Sequence, residues 1–410
     1  MNHSVNFAVE YEILGKNKKK KTVVSKLVAN DILVEKFQGD MKLEKHEVPF
    51  KSFVKNFGAT LAYIFGGTKT GTIVDAKGTA QDASTFLSVS EGAITNTHSR
   101  RGIYIGDKGA NAVNAASWTI VAASQSKSFL TGNVGNSVQK SDTFLKRRIE
   151  ASSASVATKV RYDAVSITIP EDNTVKITRR FYNGRGSSIK INEVGLGTQN
   201  ATGAGYFVDH NILLARDIFQ YDLTLADQQY LDITYSFSLP EGGYLTNNLI
   251  VLLANLFKNN NGAYDYKTVS GVINTGVVAF NAMTVTAPAD DTDYGIQVGT
   301  QYTTSSPYDY KLERDIANSK LDRSATTYLN LLTETNISTK FGFQRDFTNV
   351  DTVPVMIKEG SLNIKDLDDK GILLARFPIN GIELSANDIL RIKVYFEFPV
   401  VTTNYVTQEA

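Results

Sequence analysis

Cysteine is absent from this chain, and proline is scarce, with eight residues among 410. The absence of cysteine excludes disulfide bonds, thiolate metal sites and cysteine nucleophiles. An excess of one charge is also lacking, because 43 lysine and arginine residues stand against 42 aspartate and glutamate residues. The net charge therefore directs the whole chain neither to nucleic acid nor to an anionic membrane.

Long apolar runs are missing as well. The most apolar stretch, LIVLLANLF at residues 249–257, is too short to span a bilayer. The opening MNHSVNFAVEYE lacks the basic and apolar regions of a signal peptide. We therefore expect a chain that is made and folded in a cytoplasm and has no membrane partner.

The sequence shows no catalytic, metal or cofactor constellation. The acidic stretch DDTDYG at residues 290–295 lacks the distant glutamate of an EF-hand, which favours an exposed acidic loop over a calcium site. GIYIG and GIQVG lack the third glycine and the following helix of a dinucleotide-binding motif, which favours a tight turn or a bulge at a strand edge. No two histidines have zinc-ligand spacing; they are His3, His46, His98 and His210. We therefore predict a protein that is not an enzyme and binds no cofactor.

Aromatic residues are plentiful, with 21 phenylalanines and 19 tyrosines. The opening VNFAVEYEI alternates large apolar residues with smaller or polar ones, which is typical of a strand with one buried face. LDITYSFSLP at residues 231–240 and LRIKVYFEFP at residues 390–399 alternate in the same way and end at proline, which suits a strand terminus. The composition predicts a mainly β protein.

Several short motifs occur twice along the chain in the same order. ILLAR occupies residues 212–216 and again residues 372–376. The other pairs are NFGATLAYIF from Asn56 with NLIVLLANLF from Asn248, GIYIG at 102–106 with GIQVG at 295–299, and RRFYN at 179–183 with RDFTN at 345–349. The spacing between the copies falls along the chain, as deletions in surface loops would cause.

The repeat predicts a division of the chain into three parts. Residues 1–47 form an N-terminal β-hairpin segment, residues 48–240 a first β-sandwich module, and residues 241–410 a second, diverged copy with a C-terminal tail. Apolar residues at mixed three and four spacing predict one covering helix in each module, over residues 50–65 and 245–257. The predicted fold is thus two tandem β-sandwich-like modules with a hairpin before them.

An acid and an arginine recur together in both copies. Glu193 precedes the first ILLAR motif, which contains Arg216, and Glu359 precedes the second, which contains Arg376. Such pairs on neighbouring strands predict structural ion pairs, Glu193 with Arg216 and Glu359 with Arg376. The alternative is a role of these residues in binding a ligand.

A run of lysines follows the first strand. GKNKKKKT contains Lys16, Lys18, Lys19, Lys20 and Lys21 and lies between two strand-like stretches. This pattern is typical of the solvated tip of a hairpin. Contact of this basic patch with packaged DNA or with an acidic partner is the alternative, although no interleaved aromatic residues support recognition of bases.

These motifs together resemble a module of tailed-bacteriophage virion structural proteins. The resemblance rests on the order of a helix that begins with asparagine, a GIxxG strand, a strand ending in FxN, an acid, LLAR and a last alternating strand. VKITRRFYNGRGSSIKINEVGL followed by NILLARDIF matches best, and YEILGKNKKKKTVVSKLVAND resembles the hairpin start of such proteins. The second copy lacks the Glu-Val-Gly-Leu step of the first, which puts the details of its sheet in doubt.

The resemblance implies a non-enzymatic virion subunit in the tail or neck, as a ring, hub or appendage-attaching component. Its implied partners are copies of itself and other virion proteins, and nucleic acid is not among them. The alternatives are a capsid-decorating or head-fibre protein, or an adhesin that binds a receptor or carbohydrate through aromatic loops. The aromatic residues available for the adhesin role are Tyr104, Trp118, Tyr302, Tyr308 and Tyr310.

Overall fold

The computed structural model describes most of the chain between residues 3 and 399. The described ranges are 3–48 without 17, 55–66, 160–199 without 164 and 172, 211–257 without 241 and 242, 264–274, 284–329 without 307 and 317–319, and 338–399 without 366–369. Between residues 72 and 152 it describes six short strands alone.

Strands dominate these residues, which confirms the prediction of a mainly β protein. The first twelve are β1 (His3–Ile13), β2 (Lys18–Ala29), β3 (Ile32–Gln38), β4 (Met41–Val48), β5 (Thr72–Val74), β6 (Ala80–Asp82), β7 (Arg101–Gly102), β8 (Ser117–Trp118), β9 (Ile120–Ala123), β10 (Ala151–Ser152), β11 (Val160–Tyr162) and β12 (Ser166–Glu171). The others are β13 (Thr174–Tyr182), β14 (Ile189–Gln199), β15 (Asn211–Leu225), β16 (Gln229–Ser238), β17 (Tyr266–Lys267), β18 (Ile273–Asn274), β19 (Gly295–Gly299), β20 (Leu321–Arg323), β21 (Thr327–Leu329), β22 (Ser338–Asn349), β23 (Val355–Lys365), β24 (Gly371–Leu384) and β25 (Ile389–Pro399).

Two helices lie within the described ranges, α1 (Lys55–Gly66) and α2 (Asn247–Phe257). Residues 50–54 of the first predicted helix lie outside the described residues. The second begins two residues later than predicted, because Leu245 forms a β-bridge with Ala375 before the helix starts. Neither described helix is long and apolar enough to cross a membrane.

The hairpin of β1 and β2 lies in the middle of the largest sheet. β1 pairs with β25 along eight residues, and β2 pairs with the end of β16 at Val28 and Ala29. The strand order across this region is β13, β16, β2, β1, β25 and β22. The β1–β2 hairpin of the predicted N-terminal segment therefore joins the strands of both halves in one sheet.

The two halves of the chain share one pairing pattern. β13 pairs with β16 and β14 with β15, while β22 pairs with β25 and β23 with β24, all antiparallel. A short strand flanks each inner pair, β9 beside β14 and β19 beside β23. Duplication predicts this repetition, and the origin of both halves from one module stays a prediction.

The repetition extends to irregular features of the strands. The register shifts between Ile191 and Glu193 in β14, and again between Ile357 and Glu359 in β23. Bulges of this kind bend a strand and redirect its side chains. Both halves thus place a glutamate at the same irregularity.

A buried asparagine closes the turn between β13 and β14, and its counterpart closes the turn between β22 and β23. The side-chain amide of Asn183 donates to the carbonyl of Leu225 at 2.9 Å, and that of Asn349 donates to the carbonyl of Leu384 at 2.8 Å. Buried carbonyl groups need such donors. The recurring asparagine of RRFYN and RDFTN therefore holds each turn against the following inner strand pair.

Apolar packing is continuous from one half to the other. On α1, the ring of Phe57 lies 6.3 Å from that of Phe237 on β16 and 5.8 Å from that of Phe398 on β25. The ring of Phe7 on β1 lies 6.0 Å from that of Phe377 on β24, so the central sheet packs on the inner strand pair of the second half. One cluster of buried side chains includes residues of all three predicted segments.

Candidate functional site

Glu359 lies where the register of β23 shifts, and its side chain points into the protein. The carboxylate is fully buried, with 0% of its side chain exposed. One oxygen, Oε2, accepts a hydrogen bond from Arg376 Nε at 2.7 Å. The other, Oε1, accepts hydrogen bonds from the backbone N–H groups of Glu313 and Arg314 at 2.8 and 3.1 Å. These three donors offset the cost of removing the carboxylate from water.

Arg376 on β24 is the centre of a larger cluster. Besides its bond to Glu359, it donates through Nη1 to Asp309 Oδ2 at 2.8 Å and through Nη2 to Glu313 Oε2 at 2.9 Å. The ring of Tyr302 lies 5.1 Å from the guanidinium carbon, within the range of a cation–π contact. One positive charge thus meets three carboxylates. We call these five residues the Arg376 cluster.

The cluster attaches a long connection to the inner strand pair of the second half. Tyr302, Asp309 and Glu313 all belong to the connection between β19 and β20, whereas Glu359 and Arg376 are strand residues. All three guanidinium nitrogens of Arg376 have partners in the protein. These contacts therefore fix the position of the connection between β19 and β20 relative to β23 and β24.

Burial and hydrogen bonding compete in setting the pKa values of the cluster. Burial raises the pKa of the Glu359 carboxyl, against the hydrogen bonds that it accepts. Burial would lower the pKa of Arg376, but its hydrogen bonds to Glu359 and Asp309 outweigh that effect and raise it. Burial also acts against ionisation of Glu313, yet hydrogen bonds from Thr303 and Arg376 lower its pKa. Each direction follows from which effect dominates.

The structure requires a glycine at each end of GIQVG for a different reason. Gly295 has φ of 83°, a left-handed conformation that glycine adopts without strain. Gly299 lies against the buried carboxylate, since a Cβ atom there would lie 2.6 Å from the carbonyl oxygen of Arg314 and closer still to Glu359 Oε1. The second glycine thus provides space for the Arg376 cluster. In the first half, Gly106 lies outside the described residues.

The other predicted ion pair lies at matching main-chain positions. Arg216 on β15 is opposite Gly195, just as Arg376 is opposite Ser361. Glu193 is at the register shift of β14. The side chains of Glu193 and Arg216 lie outside the described residues, so their ion pair stays a prediction.

The basic run occupies the turn of the β1–β2 hairpin and the first residues of β2, as its sequence indicates. Lys16 Nζ contacts Asp388 Oδ2 at 2.5 Å, and this hydrogen bond lowers the pKa of the Asp388 carboxyl. Lys20 is exposed. The side chains of Lys18, Lys19 and Lys21 lie outside the described residues. Main-chain pairing places Lys19 opposite Glu12 and Lys21 opposite Glu10, so the strand beside the run carries acidic residues.

Arg345 is a buried arginine whose role the sequence did not single out. Its guanidinium donates to five backbone carbonyl groups at 2.8–3.1 Å; these belong to Ser324, Ile296, Pro288, Ala289 and Asp291. Burial lowers the pKa of Arg345 to about 10. Arg345 thus holds the start of the acidic loop on the sheet. Its equivalent in RRFYN, Arg179, is also buried, and this repetition is the signal that could have identified it.

The predicted aromatic residues of the second half do not share one environment. Tyr302 belongs to the Arg376 cluster, and the ring of Tyr310 lies 3.7 Å from Lys267 Nζ. Tyr308 is 66% exposed. Tyr104 and the side chain of Trp118 lie outside the described residues. The connection between β19 and β20 therefore presents one exposed tyrosine, Tyr308, beside two that contact cations.

No described group of three or more histidine, aspartate or glutamate residues could hold a metal ion. His46 lies 3.2 Å from Glu44, while His98, His210 and the side chain of His3 lie outside the described residues. The acidic loop is instead folded by its own backbone, because Asp291 Oδ1 accepts hydrogen bonds from the N–H groups of Asp293 and Tyr294.

Comparison with known proteins gives no relative from which a role could be transferred. No family model matches the chain, and neither a curated protein nor a solved structure matches it. Its function must therefore be inferred from its own residues and their arrangement.

Proposed function

We propose that this chain is a non-enzymatic structural subunit of a tailed-phage virion, in the tail or neck, which assembles with copies of itself and with other virion proteins. The observation that carries the proposal is the strand-pairing pattern that both halves share around one central hairpin. The segments that resemble phage structural proteins form β13 to β15, which belong to this pattern. A repeated module gives one subunit two related surfaces for neighbours.

The Arg376 cluster supports an assembly role. A surface that docks on a neighbour binds more tightly when its loops are already ordered, because ordering them on contact costs entropy. The connection between β19 and β20 is long, yet Asp309 and Glu313 attach it to the strands through Arg376. The buried Glu359 fixes its backbone from the other side. The loop thus suits a rigid docking surface.

Localisation on purified particles tests the proposal. An antibody raised against this chain would be applied to particles from the host that expresses it, followed by immunogold electron microscopy. Label at the head-to-tail junction or along the tail is the expected result. Label over the whole head would show that the protein decorates the capsid or belongs to a head fibre instead of the tail or neck. Particles without label would reject the virion role.

A carbohydrate-binding adhesin is the second candidate, favoured by Tyr308. This exposed tyrosine lies on the ordered connection that also carries Tyr302 and Tyr310, and an exposed aromatic ring can stack on a sugar. Glycan-array binding by the purified chain that Tyr308→Ala abolishes would support the adhesin. Equal binding by both proteins, or none by either, would reject this role for Tyr308.

A further inference from the structure

The sheet formed by β19, β23 and β24 has one apolar face and one polar face. Leu362 and Ile364 of β23 lie on the apolar face, within the main cluster of buried side chains. Because side chains alternate along a strand, Glu359, Ser361 and Asn363 lie on the other face. All three are buried, with at most 4% of their surface exposed. The polar face is therefore covered by other parts of the chain.

Two loops cover this polar face. The backbone N–H of Glu313, from the connection between β19 and β20, donates to Glu359 at 2.8 Å. The acidic loop is held at two points, because the side-chain amide of Asn363 donates to the carbonyl of Asp293 at 2.8 Å and that of Gln297 on β19 donates to the carbonyl of Tyr294 at 2.6 Å. Polar side chains of the sheet thus anchor both loops.

Two buried oxygens of this face take no part in these bonds. Among the described residues, neither Ser361 Oγ nor Asn363 Oδ1 has a hydrogen-bond partner. The orientation of the Asn363 amide is fixed, because the end that faces the carbonyl of Asp293 must be the nitrogen, which donates. Buried oxygens are nearly always hydrogen-bonded in folded proteins. Both oxygens therefore require a partner other than the described protein groups.

The first half has glycine at both equivalent positions. Gly195 and Gly197 of β14 are opposite the arginine and the first leucine of the ILLAR motif in β15, as Ser361 and Asn363 are in β24. The strand pairing is thus kept in the first half without either side chain. Ser361 and Asn363 are therefore not needed for the pairing, and their oxygens are available to a ligand.

The chemistry of the two oxygens favours a small neutral molecule that donates hydrogen bonds. An amide oxygen only accepts, whereas a serine hydroxyl donates or accepts. The neighbouring carboxylate of Glu359 already has donors at both oxygens, one of them Arg376. A calcium ion needs about six to eight oxygen ligands, which two oxygens do not supply. Water fits both oxygens.

The spacing of the two residues also suits a single water molecule. Ser361 and Asn363 are two residues apart on one strand, so their side chains start about 6.6 Å apart on the same face. Two hydrogen bonds of about 2.8 Å join oxygens that are up to about 5.6 Å apart. The side chains need only lean slightly toward each other for one water molecule to contact both.

We propose that Ser361 Oγ and Asn363 Oδ1 together bind one buried water molecule beneath the acidic loop. The water donates one hydrogen bond to Asn363 Oδ1 and forms the other with the Ser361 hydroxyl. Because the nitrogen of the same amide holds the carbonyl of Asp293, the water fixes the side chain that anchors this loop. The site is specific to the second half and is independent of any role in a virion.

A high-resolution crystal structure of the full chain tests the site directly. The expected result is an electron-density peak within about 2.7–3.2 Å of both oxygens. A direct hydrogen bond between the two side chains, or the absence of a peak between them, would overturn the proposal.

Oxygen-17 magnetic relaxation dispersion tests the site in solution, because it counts the water molecules that a protein holds inside for long times. Ser361→Ala should lower this count by about one, since buried waters need several hydrogen bonds. Ser188→Ala is the matched control, because it removes an exposed hydroxyl of the first half and should leave the count unchanged. Equal counts for Ser361→Ala and the unaltered protein would reject the two-point site.

A crystal structure of Ser361→Ala separates loss of the water from misfolding. The substitution removes no hydrogen bond between described protein groups, so the amide of Asn363 should still donate to the carbonyl of Asp293. Loss of the peak with this bond intact would support the proposal. A peak that stayed beside Asn363 would show that the hydroxyl is not a ligand of the water and would overturn it.

Discussion

At the scale of residues, Arg376 compensates the buried negative charge of Glu359. Glu359 has no exposed surface, and among the described residues Arg376 is its one charged partner of opposite sign. Removing one member of a buried ion pair leaves the other charged in a medium of low polarity. Stability should therefore depend far more on Arg376 than on arginines at the surface.

Arg376→Met is expected to lower the free energy of unfolding by about 3–5 kcal/mol, because Glu359 would stay buried without its cationic partner. Arg391→Met is the matched control, since Arg391 pairs with Asp346 while 29% of its side chain is exposed. Its loss should be about 1 kcal/mol or less. Urea denaturation of both variants measures the difference, and equal losses would contradict the importance of burial.

A second measurement separates loss of the cluster from a general loss of stability. In Arg376→Met the connection between β19 and β20 loses its bonds from Asp309 and Glu313. Trypsin should then cut at Lys311 or Arg314 faster than in Arg391→Met, under conditions where both stay folded. Unchanged cleavage would show that the connection is held by other contacts.

The sequence could predict only part of this site. Glu359 and Arg376 could be paired because both recur beside ILLAR in the other half. Asp309 and Glu313 could not, because they belong to a connection without periodicity whose path is set by tertiary contacts. Recurrence of an arginine at the start of RRFYN and RDFTN could have marked Arg345, but its partners were hidden, since they are backbone carbonyl groups, which have no signature in the sequence.

At the scale of elements, an arginine–aspartate pair joins β13 to β16 in the first half, and another joins β22 to β25 in the second. The arginine and the aspartate exchange strands between the two halves. In the first half Arg180 on β13 binds Asp232 on β16, with two contacts of 2.7 Å. In the second, Asp346 on β22 binds Arg391 on β25, with contacts of 2.9 and 2.7 Å. The pairing is the same while the charges are exchanged. Complementarity between the strands is thus kept, and the identity of each residue is free to change.

Exchange of the charges in the second half should therefore be tolerated. Asp346→Arg and Arg391→Asp should each destabilise the protein, because each places two like charges opposite one another. The double variant should recover most of the loss, with a coupling energy of about 0.5–3 kcal/mol. Urea denaturation of the four proteins gives this coupling. Losses that simply add would contradict a direct contact across the strands.

Local elements followed from the sequence better than their long-range partners. The alternation in VNFAVEYEI predicts β1, and the lysine run predicts its hairpin with β2. Pairing of β1 with β25 could not be predicted, because alternation shows that a face is buried but not which distant strand lies beside it. The division of the chain into an N-terminal hairpin segment and two modules stays a prediction, and it carried no information on which strands share a sheet.

At the scale of the whole molecule, the halves are joined by the β1–β2 hairpin and by apolar packing. β1 pairs with the second half and β2 with the first. Phe57 of α1 contacts one phenylalanine from each half. Loss of either half would therefore expose strand edges and apolar surface of the other. Such coupling favours unfolding in one step.

We expect a single calorimetric transition that substitutions in either half displace. Asn183→Ala and Asn349→Ala remove equivalent buried hydrogen bonds, to the carbonyl groups of Leu225 and Leu384, which costs about 1–3 kcal/mol each. If the halves unfold together, both substitutions lower the temperature of the same transition. If they unfold separately, the unaltered protein shows two transitions, and each substitution moves one of them. Phe57→Ala tests whether the packing of α1 or the β1–β2 hairpin makes the two halves unfold together, because it weakens the contacts of α1 with both halves. Two separate transitions in this variant would assign the coupling to α1, and one transition would assign it to the hairpin.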